Sequence, residues 1–159
     1  MNIVLHQPEI PSNTGNIART CLATGSRLHL IKPLGFSIDD RQLKRAGLDY
    51  WHDVDIRLWE SLDELFAATA AESPRRFLFT TKISRPYFSV EYLPGDWFIF
   101  GRETKGLPET LLAQNEPQCV TIPMENSALS PSARSLNLSV SVGIALFEAR
   151  RQFAIKQAF

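Results

Sequence analysis

The chain has 159 residues, of which 44% are hydrophobic and 21% are charged, and its formal net charge is zero. This balance is typical of a folded protein and argues against disorder, and no apolar run approaches the length of a membrane span. Zero net charge excludes a strong overall attraction to nucleic acid, although a local basic patch can still bind phosphate groups. Because the N-terminal residues have the pattern of a strand and not of a signal peptide, we expect one cytoplasmic domain covering residues 1–159.

Neither a disulfide framework nor a metal site is expected. Cys21 and Cys119 lie far apart in the sequence and form no CxxC pair. The histidines His6, His29 and His52 have no spacing typical of metal ligands. We therefore expect these residues to occupy ordinary core or surface positions.

Apolar strands alternate with helical segments along almost the whole chain. Strands are predicted, in chain order, at Asn2–His6, Arg27–Ile31, Asp53–Leu58, Arg76–Thr80, Trp97–Phe100 and Cys119–Ile122. Helices are predicted at Asn13–Thr24, Asp39–Ala46, Ser61–Ala71, Pro108–Ala113 and Leu136–Gln157. The alternation predicts an α/β fold, with a mostly parallel sheet and helices on both faces. Because ligands of such sheets bind at the carboxyl ends of the strands, the residues directly after the strands are the most informative.

The predicted terminal helix is apolar on nearly every side. Its large apolar residues are Leu136, Leu138, Val140, Val142, Ile144, Leu146 and Phe147. Such a helix must be covered on more than one face. In so short a chain a second copy is a natural cover, so we expect a homodimer; the alternative is a helix at the centre of the core.

The loop after the first strand, residues 8–16, opens a helix. Two prolines stiffen this loop, and Gly15 permits a close backbone approach. Asn13 is predicted to cap the helix, where free N–H groups favour an anion such as phosphate. Arg19 follows about one and a half turns later and can bind phosphate through two nitrogens. An ordinary capped helix with a surface arginine is the alternative.

The segment Phe100–Pro108 leads from a strand through a loop with two glycines into a helix. Gly101 allows a ligand to approach the strand end closely. The patterns GxGxxG and GxxxxGK[ST] are absent, so no motif supports NAD or ATP binding. Glu103 could act as an acid or base, but a structural role as acceptor for backbone N–H groups is favoured.

The segment Ile122–Met124 is followed by a polar loop that leads to Ser135 and the terminal helix. Ser135 is predicted to cap this helix, and Ser and Asn side chains suit a small polar ligand or a sugar hydroxyl.

Basic residues form two groups that are candidates for RNA contact. Arg41, Lys44 and Arg45 share one face of the short second helix, and the site loops contain Arg102, Lys105 and Arg134. Binding to an RNA backbone is one interpretation, and a solvated surface is the other.

Together these loops resemble the SPOUT class of RNA methyltransferases. The matching motifs are Asn13-x-Gly15-x-x-x-Arg19, Phe100-Gly101-x-Glu103-x-x-Gly106-Leu107, and Ile122-Pro123-Met124 with Ser135-Leu136-Asn137-Leu138-Ser139 and Phe147-Glu148-Ala149. The stretches His29–Phe36 and Lys44–Tyr50 are similar to the minimal branch without an added RNA-binding domain. That branch includes the tRNA (cytidine(34)-2′-O)-methyltransferases. The resemblance therefore implies methyl transfer from S-adenosylmethionine to the ribose 2′-hydroxyl of the wobble nucleotide, cytidine or modified uridine, of tRNA.

The resemblance also implies a fold and a site. The fold would be SPOUT-like, with a C-terminal trefoil knot, and the protein would dimerise through its first and last helices without binding DNA or a membrane. The donor pocket would be lined by Phe79, Thr80, Gly101, Ile122 and Ser135. The catalytic site would be formed by Asn13, Arg19, Glu103, Ser135 and Asn137. Of these, Arg19 would orient the hydroxyl or a phosphate across the dimer, and Asn13 and Glu103 would be mostly structural.

Two departures from the family pattern keep other functions open. Residues 125–134 form a longer connection than we expect for this branch, and Val140 stands where an asparagine is usual. The alternatives are 2′-O-methylation of another tRNA or rRNA site and a non-catalytic RNA-binding role.

Overall fold

The computed structural model describes residues 1–37, 51–124 and 135–157. Within these residues six parallel strands form one sheet: β1 (Asn2–His6), β2 (Arg27–Ile31), β3 (Ile56–Trp59), β4 (Arg76–Phe79), β5 (Trp97–Phe100) and β6 (Cys119–Val120). Their order across the sheet is β3-β2-β1-β5-β4-β6. Strands β1, β2 and β3 follow one another across one half of the sheet. The chain then crosses to the other side of β1, where β5 pairs with β1 and is followed by β4 and β6.

Four α-helices lie in the described residues: α1 (Pro11–Thr24), α2 (Leu62–Ala68), α3 (Glu109–Gln114) and α4 (Leu138–Gln157). Single turns of 3-10 helix occur at Trp51–Asp53, Ala70–Glu72, Tyr87–Ser89 and Glu116–Gln118. The helix predicted at 39–46 lies outside the described residues. Among those that are described, no helix is long and apolar enough to span a bilayer.

The sheet separates two apolar layers, because successive residues of a strand point to opposite faces. On one face, α1 and α4 cover the side chains of Ile3, Leu5 and Phe98. On the other, α2 and α3 pack near Val4 and Ile99. Strands β1, β2, β4, β5 and β6 are therefore largely buried on both faces, as parallel strands usually are. The edge strand β3 is partly exposed, and Leu58 in it is 50% exposed. The predicted α/β architecture is confirmed.

Helix α1 begins earlier than the sequence suggests. Ile10 is the N-cap, with extended backbone, and Pro11 occupies the first helical position, where a missing N–H costs nothing. Asn13 therefore lies inside the helix, and the prediction that it caps α1 is wrong. The helix ends as predicted at Gly25, which has a left-handed φ of 63°.

Helix α2 begins as predicted, because the Ser61 hydroxyl accepts a hydrogen bond from the Glu64 N–H at 3.1 Å. The Glu64 carboxylate accepts from the Glu60 N–H at 2.6 Å, one residue before the position that a complete capping box would use. The α-helix stops at Ala68, shorter than predicted, and the chain continues as a 3-10 turn.

Helix α4 begins at Leu138, and its start also differs from the prediction. The Asn137 side-chain oxygen, and not that of Ser135, accepts from the Ser139 N–H at 2.8 Å. Ser135 is therefore not the cap. Along the helix Val142, Ala145 and Leu146 are fully buried.

The strands β3 and β6 are shorter than predicted. Residues Trp51–Asp53 form a helical turn before β3 begins at Ile56. After the two residues of β6, Thr121 pairs with Pro86 only as an isolated bridge. The predicted trefoil knot depends on the path of residues 125–134, which lies outside the described residues, so the knot stays a prediction.

Candidate active site

A cleft of about 510 Å³ lies at the carboxyl edge of the sheet, where β4, β5 and β6 end. Its walls are residues 79–82, 100–107 and 135–138, together with Ile122 and Met124. The start of α1 contributes Ile10 and Asn13. The loops that the sequence singled out after β1, β5 and β6 therefore converge on one cleft.

The loop after β5, residues 101–106 (the β5 loop), folds tightly back on itself. The Arg102 N–H donates to the Gly106 carbonyl at 3.2 Å, and the Gly106 N–H donates to the Arg102 carbonyl at 2.9 Å. A Cβ on Gly101 would lie 2.0 Å from the Gly106 carbonyl carbon, so glycine is required there. Gly106 has a φ of 67°, which other residues rarely adopt. The folded loop forms one wall of the cleft.

Glu103 ties the β5 loop to the start of α1. One carboxylate oxygen accepts from the Glu9 N–H at 2.8 Å. The other accepts from the Ile10 N–H at 3.2 Å and from the Asn13 side-chain amide at 3.1 Å. A carboxylate is also favoured near a helix N-terminus by the helix dipole. With both oxygens accepting, Glu103 has the structural arrangement that the sequence favours for it.

Asn13 extends this network to α4. Its side-chain oxygen accepts from the Asn137 side-chain amide at 2.9 Å. Asn137 in turn accepts from the Ser139 N–H at the start of α4. Residues 124 positions apart in the sequence are thus directly bonded. The structure brings Asn13, Glu103 and Asn137 together and connects three separate elements.

Glu9 and Thr104 form a second link between the same two loops. The Thr104 hydroxyl donates to the Glu9 carboxylate at 2.8 Å, and the Thr104 N–H donates to it at 3.0 Å. These hydrogen bonds lower the pKa of Glu9 below its ordinary value. Neither Glu9 nor Thr104 is among the predicted site residues, although both lie in candidate loops. The sequence carries no signal for the pair, because its partners lie 95 residues apart.

Three cations line the described part of the cleft, and two of them are engaged within the protein. The Arg102 guanidinium donates to the Gln7 side-chain oxygen, and Gln7 donates to the Lys32 carbonyl at 3.2 Å. Lys82, which is not among the predicted site residues, forms an exposed ion pair with Glu109 at 2.6 Å. Lys105 is exposed at the rim. The predicted RNA-binding residues Arg41, Lys44, Arg45 and Arg134 lie outside the described residues.

The cleft offers few groups for proton transfer. Among its described lining residues, only Lys82, Arg102, Glu103 and Lys105 belong to the charged residue types. The described residues contain no group of three His, Cys, Asp or Glu side chains that could hold a metal ion. His6, at the end of β1, is buried and does not line the cleft. The arrangement therefore suits binding and orientation of reactants better than side-chain acid–base chemistry.

Arg19 lies on a different side of α1 from Asn13. Six residues separate them, which rotates one from the other by about 240° around a helix. Asn13 is 4% exposed and faces the network, whereas Arg19 is exposed. Arg19 is absent from the described residues that line the cleft. Folding of one chain therefore does not bring Arg19 to the predicted catalytic residues.

Comparison with known proteins identifies the family. Residues 1–147 match the model of the SpoU rRNA Methylase family. The chain belongs to this family. It is also 48% identical over 153 residues to the tRNA (cytidine(34)-2′-O)-methyltransferase of Burkholderia ambifaria, a match that covers 95% of this chain and 94% of the relative.

Solved structures of SpoU-type proteins share the fold. One, concerned with the 2-OH methylation of C/U34 on tRNA, is 45% identical, has a TM-score of 0.86, and matches 96% of this chain and 95% of its own. An AdoMet-bound rRNA methyltransferase from Sinorhizobium meliloti is 26% identical with a TM-score of 0.76. That match covers 94% of this chain and 55% of the larger protein. The fold class and family predicted from the sequence are confirmed.

In this SpoU family member all five residues predicted to hold the donor line the same cleft. They are Phe79, Thr80, Gly101, Ile122 and Ser135. The ring of Phe79 is 8% exposed and stacks on that of Phe100 at a centroid distance of 4.5 Å. Phe79 therefore helps to build the floor of the cleft from within the core.

Proposed function

We propose that this SpoU family member transfers a methyl group from S-adenosylmethionine to the ribose 2′-hydroxyl of the wobble nucleotide, cytidine or modified uridine, of tRNA. The observation that carries the proposal is the near-full-length similarity to relatives named for this reaction. The cleft at the carboxyl edge of the sheet is the proposed site of that reaction. A tRNA substrate would locate the protein in the cytoplasm.

The cleft fits the methyl donor in size and chemistry. A volume of about 510 Å³ lies within the range of small-molecule sites. Ile122 and Leu138 offer apolar surface for a base, and Ser135 offers a hydroxyl for a sugar or an amino acid group. The tight β5 loop lines the same cleft. When bound, the donor supplies a methyl group that is already activated for transfer.

The protein's task is then to align the attacking hydroxyl with the donor. Alignment of two reactants accounts for a large part of many rate enhancements. Asn13, Glu103 and Asn137 hold the β5 loop, α1 and α4 in one arrangement. Arg19 is not a candidate base, because a guanidinium offers hydrogen-bond donors and no acceptor. We assign it to orienting the 2′-hydroxyl or an adjacent phosphate.

A homodimer explains how Arg19 reaches a cleft. Three apolar side chains of α4, Val140, Phe147 and Ile155, are 49%, 58% and 47% exposed, and Leu22 of α1 is 39% exposed. Exposed apolar residues on neighbouring helices are typical of a surface that a partner covers. In such a dimer Arg19 of one subunit would serve the cleft of the other.

RNA would approach the open side of the cleft. Lys82 and Lys105 place ammonium groups at its rim, where they can contact phosphates. Arg102 is tied to Gln7, so a contact between its guanidinium and RNA requires that hydrogen bond to be shared or released. Arg41, Lys44, Arg45 and Arg134 remain predicted RNA contacts.

Labelled S-adenosylmethionine and total tRNA from a methylation-deficient strain test the reaction. Mass spectrometry of the labelled nucleosides is expected to show 2′-O-methylcytidine or a 2′-O-methyluridine derivative at the wobble position. Label on another tRNA or rRNA ribose would reassign the substrate. Donor binding without label on any RNA would favour a non-catalytic role.

Mixed dimers test the placement of Arg19. Arg19→Ala and Asn137→Ala are each expected to be inactive alone. If Arg19 acts across the dimer, a dimer of one Arg19→Ala subunit and one Asn137→Ala subunit has one intact site out of two. Random mixing makes half of the dimers of this kind, so about a quarter of wild-type activity should return. No recovery, with subunit exchange shown by native mass spectrometry, would place Arg19 in its own subunit's cleft.

Sedimentation tests the dimer itself. Phe147→Glu introduces a charge into the proposed interface, so we expect it to sediment as a monomer while the wild-type protein sediments as a dimer. Leu93→Glu, at another exposed apolar residue, is the matched control and should leave the dimer intact. A monomeric wild-type protein at micromolar concentration would contradict the proposal.

A further inference from the structure

Two loops at the carboxyl edge hold each other through a pair of carboxylates. Glu103 of the β5 loop accepts from the backbone N–H groups of Glu9 and Ile10, which lie in the loop after β1, residues 7–10 (the β1 loop). Glu9 of the β1 loop accepts from the backbone and hydroxyl of the β5 loop at Thr104. We call these four residues the reciprocal clamp. Each loop thus supplies a charged acceptor to the other, and charge-assisted hydrogen bonds are stronger than neutral ones.

Glu9 contacts Thr104, which lines the cleft, but Glu9 is not itself among the described residues that line it. Glu9 can therefore influence a bound molecule only through the β5 loop or through α1. This separates it from Glu103 and Asn13, which belong to the motifs discussed above.

The backbone of Glu9 packs closely against Gly35. The Gly35 N–H donates to the Pro8 carbonyl at 2.9 Å. A Cβ on Gly35 would lie 2.7 Å from both the Cα and the carbonyl oxygen of Glu9. Any side chain at position 35 would therefore push the Glu9 backbone away. The close packing therefore limits where the backbone of Glu9 can lie, and in this position its carboxylate accepts from Thr104.

We propose that Glu9 and Thr104 are positioning residues that hold the β5 loop in the shape that binds the methyl donor. The proposal rests on the proposed function, because it assumes that the cleft binds S-adenosylmethionine. Residues 102–105 lie between Gly101 and Gly106, and the exposed tip of the loop is held from outside by Glu9. Without that bond the free loop samples more conformations, and the donor must order it on binding, which lowers affinity.

Donor binding measured without RNA gives the first test. Thr104→Val removes the hydroxyl and keeps the shape, whereas Thr104→Ser keeps the hydroxyl. Titration calorimetry with S-adenosylmethionine should show about tenfold weaker binding for Thr104→Val and binding within about twofold of wild type for Thr104→Ser. Equal affinity of wild type and Thr104→Val would overturn the proposal.

Two variants away from the cleft provide a second test. Glu9→Gln keeps one acceptor oxygen but loses the charge, so it should weaken donor binding by about threefold. Gly35→Ala displaces Glu9 and should weaken it at least as much. With tRNA, both should raise the KM for the donor more than they lower kcat at saturating donor. A lower melting temperature with unchanged donor affinity in both variants would show a merely structural role and overturn the proposal.

The outcomes for the two proposals are distinguishable. Absence of donor binding by the wild-type protein would overturn both. Donor binding that depends on Thr104, without methyl transfer to tRNA, would support the clamp and overturn the proposed substrate. Methyl transfer to tRNA with no effect of Thr104→Val on donor affinity would overturn the clamp alone.

Discussion

Two polar networks in this protein use similar groups in different settings. The edge network, consisting of Glu9, Asn13, Glu103, Thr104 and Asn137, joins loops and helix starts beside the cleft. The strand network, consisting of Asn2, His29 and Trp59, joins three neighbouring strands within the sheet. In the edge network Thr104 and Asn137 are exposed, whereas His29 in the strand network is 2% exposed.

The strand network is built around a neutral histidine. The Trp59 indole N–H donates to His29 Nδ1 at 3.0 Å, and His29 Nε2 lies 3.3 Å from the Asn2 side-chain oxygen. The His29 ring packs against Trp97 at 4.6 Å between ring centroids. Burial, reinforced by the charge of Arg27, lowers the pKa of His29 to about 4.

From this comparison we expect the position of a network, and not its polarity, to decide what it contributes. Hydrogen bonds between rigid strands contribute mainly to the free energy of unfolding, because breaking them leaves buried groups without partners. Hydrogen bonds between loops contribute mainly to the geometry of the site that the loops enclose. The predictions below separate these two contributions.

The largest expected effect is a loss of stability in acid through His29. The unfolded chain binds a proton at His29 below pH 6.5 and the folded chain only below about 4. Stability is therefore complete above pH 6.5 and falls as the pH drops toward 4, by about 3 kcal/mol. Urea unfolding of wild type and His29→Gln from pH 7 to pH 4 measures the difference. Parallel curves for the two proteins would refute the assignment.

Removal of Glu103 should affect transfer more than stability. Glu103→Ala eliminates the acceptor of three hydrogen bonds, and we expect kcat/KM for methyl transfer to fall about a hundredfold. The free energy of unfolding should fall by only about 1–2 kcal/mol, because water can replace the lost acceptor at this half-exposed site. Glu103→Gln, which keeps an acceptor oxygen, is the control. A loss of stability that accounts for the whole loss of activity would contradict the prediction.

The smallest expected effect is at Trp59. Trp59→Phe keeps an aromatic ring beside His29 but removes the hydrogen bond to its Nδ1, so the free energy of unfolding should fall by about 1 kcal/mol. Methyl transfer at pH 7.5 should be unchanged, which urea titration and the tRNA assay check together. Reduced transfer by a protein that is fully folded would show that the strand network also reaches the cleft.

The sequence predicted the strands better than the helix starts. Strands such as Trp97–Phe100 are short apolar runs, buried on both faces, and such runs are visible without tertiary information. The start of α1 was misplaced because Asn13 is a good cap by residue type. In the structure Glu103, 93 residues away from Ile10, accepts from the backbone there. Asn13 is therefore available to bond with Asn137 instead.

The sequence by itself determined the alternation of strands and helices, the glycines of the β5 loop, and the family. These features depend on local patterns and on residue types at fixed spacing. Only the tertiary structure decided which side chains meet: Glu9 with Thr104, Asn13 with Asn137, and Arg19 apart from the cleft of its own chain. The reason is physical. Hydrogen bonds between residues 95 and 124 positions apart depend on how parallel strands align their carboxyl ends, and no local pattern in the sequence records that alignment.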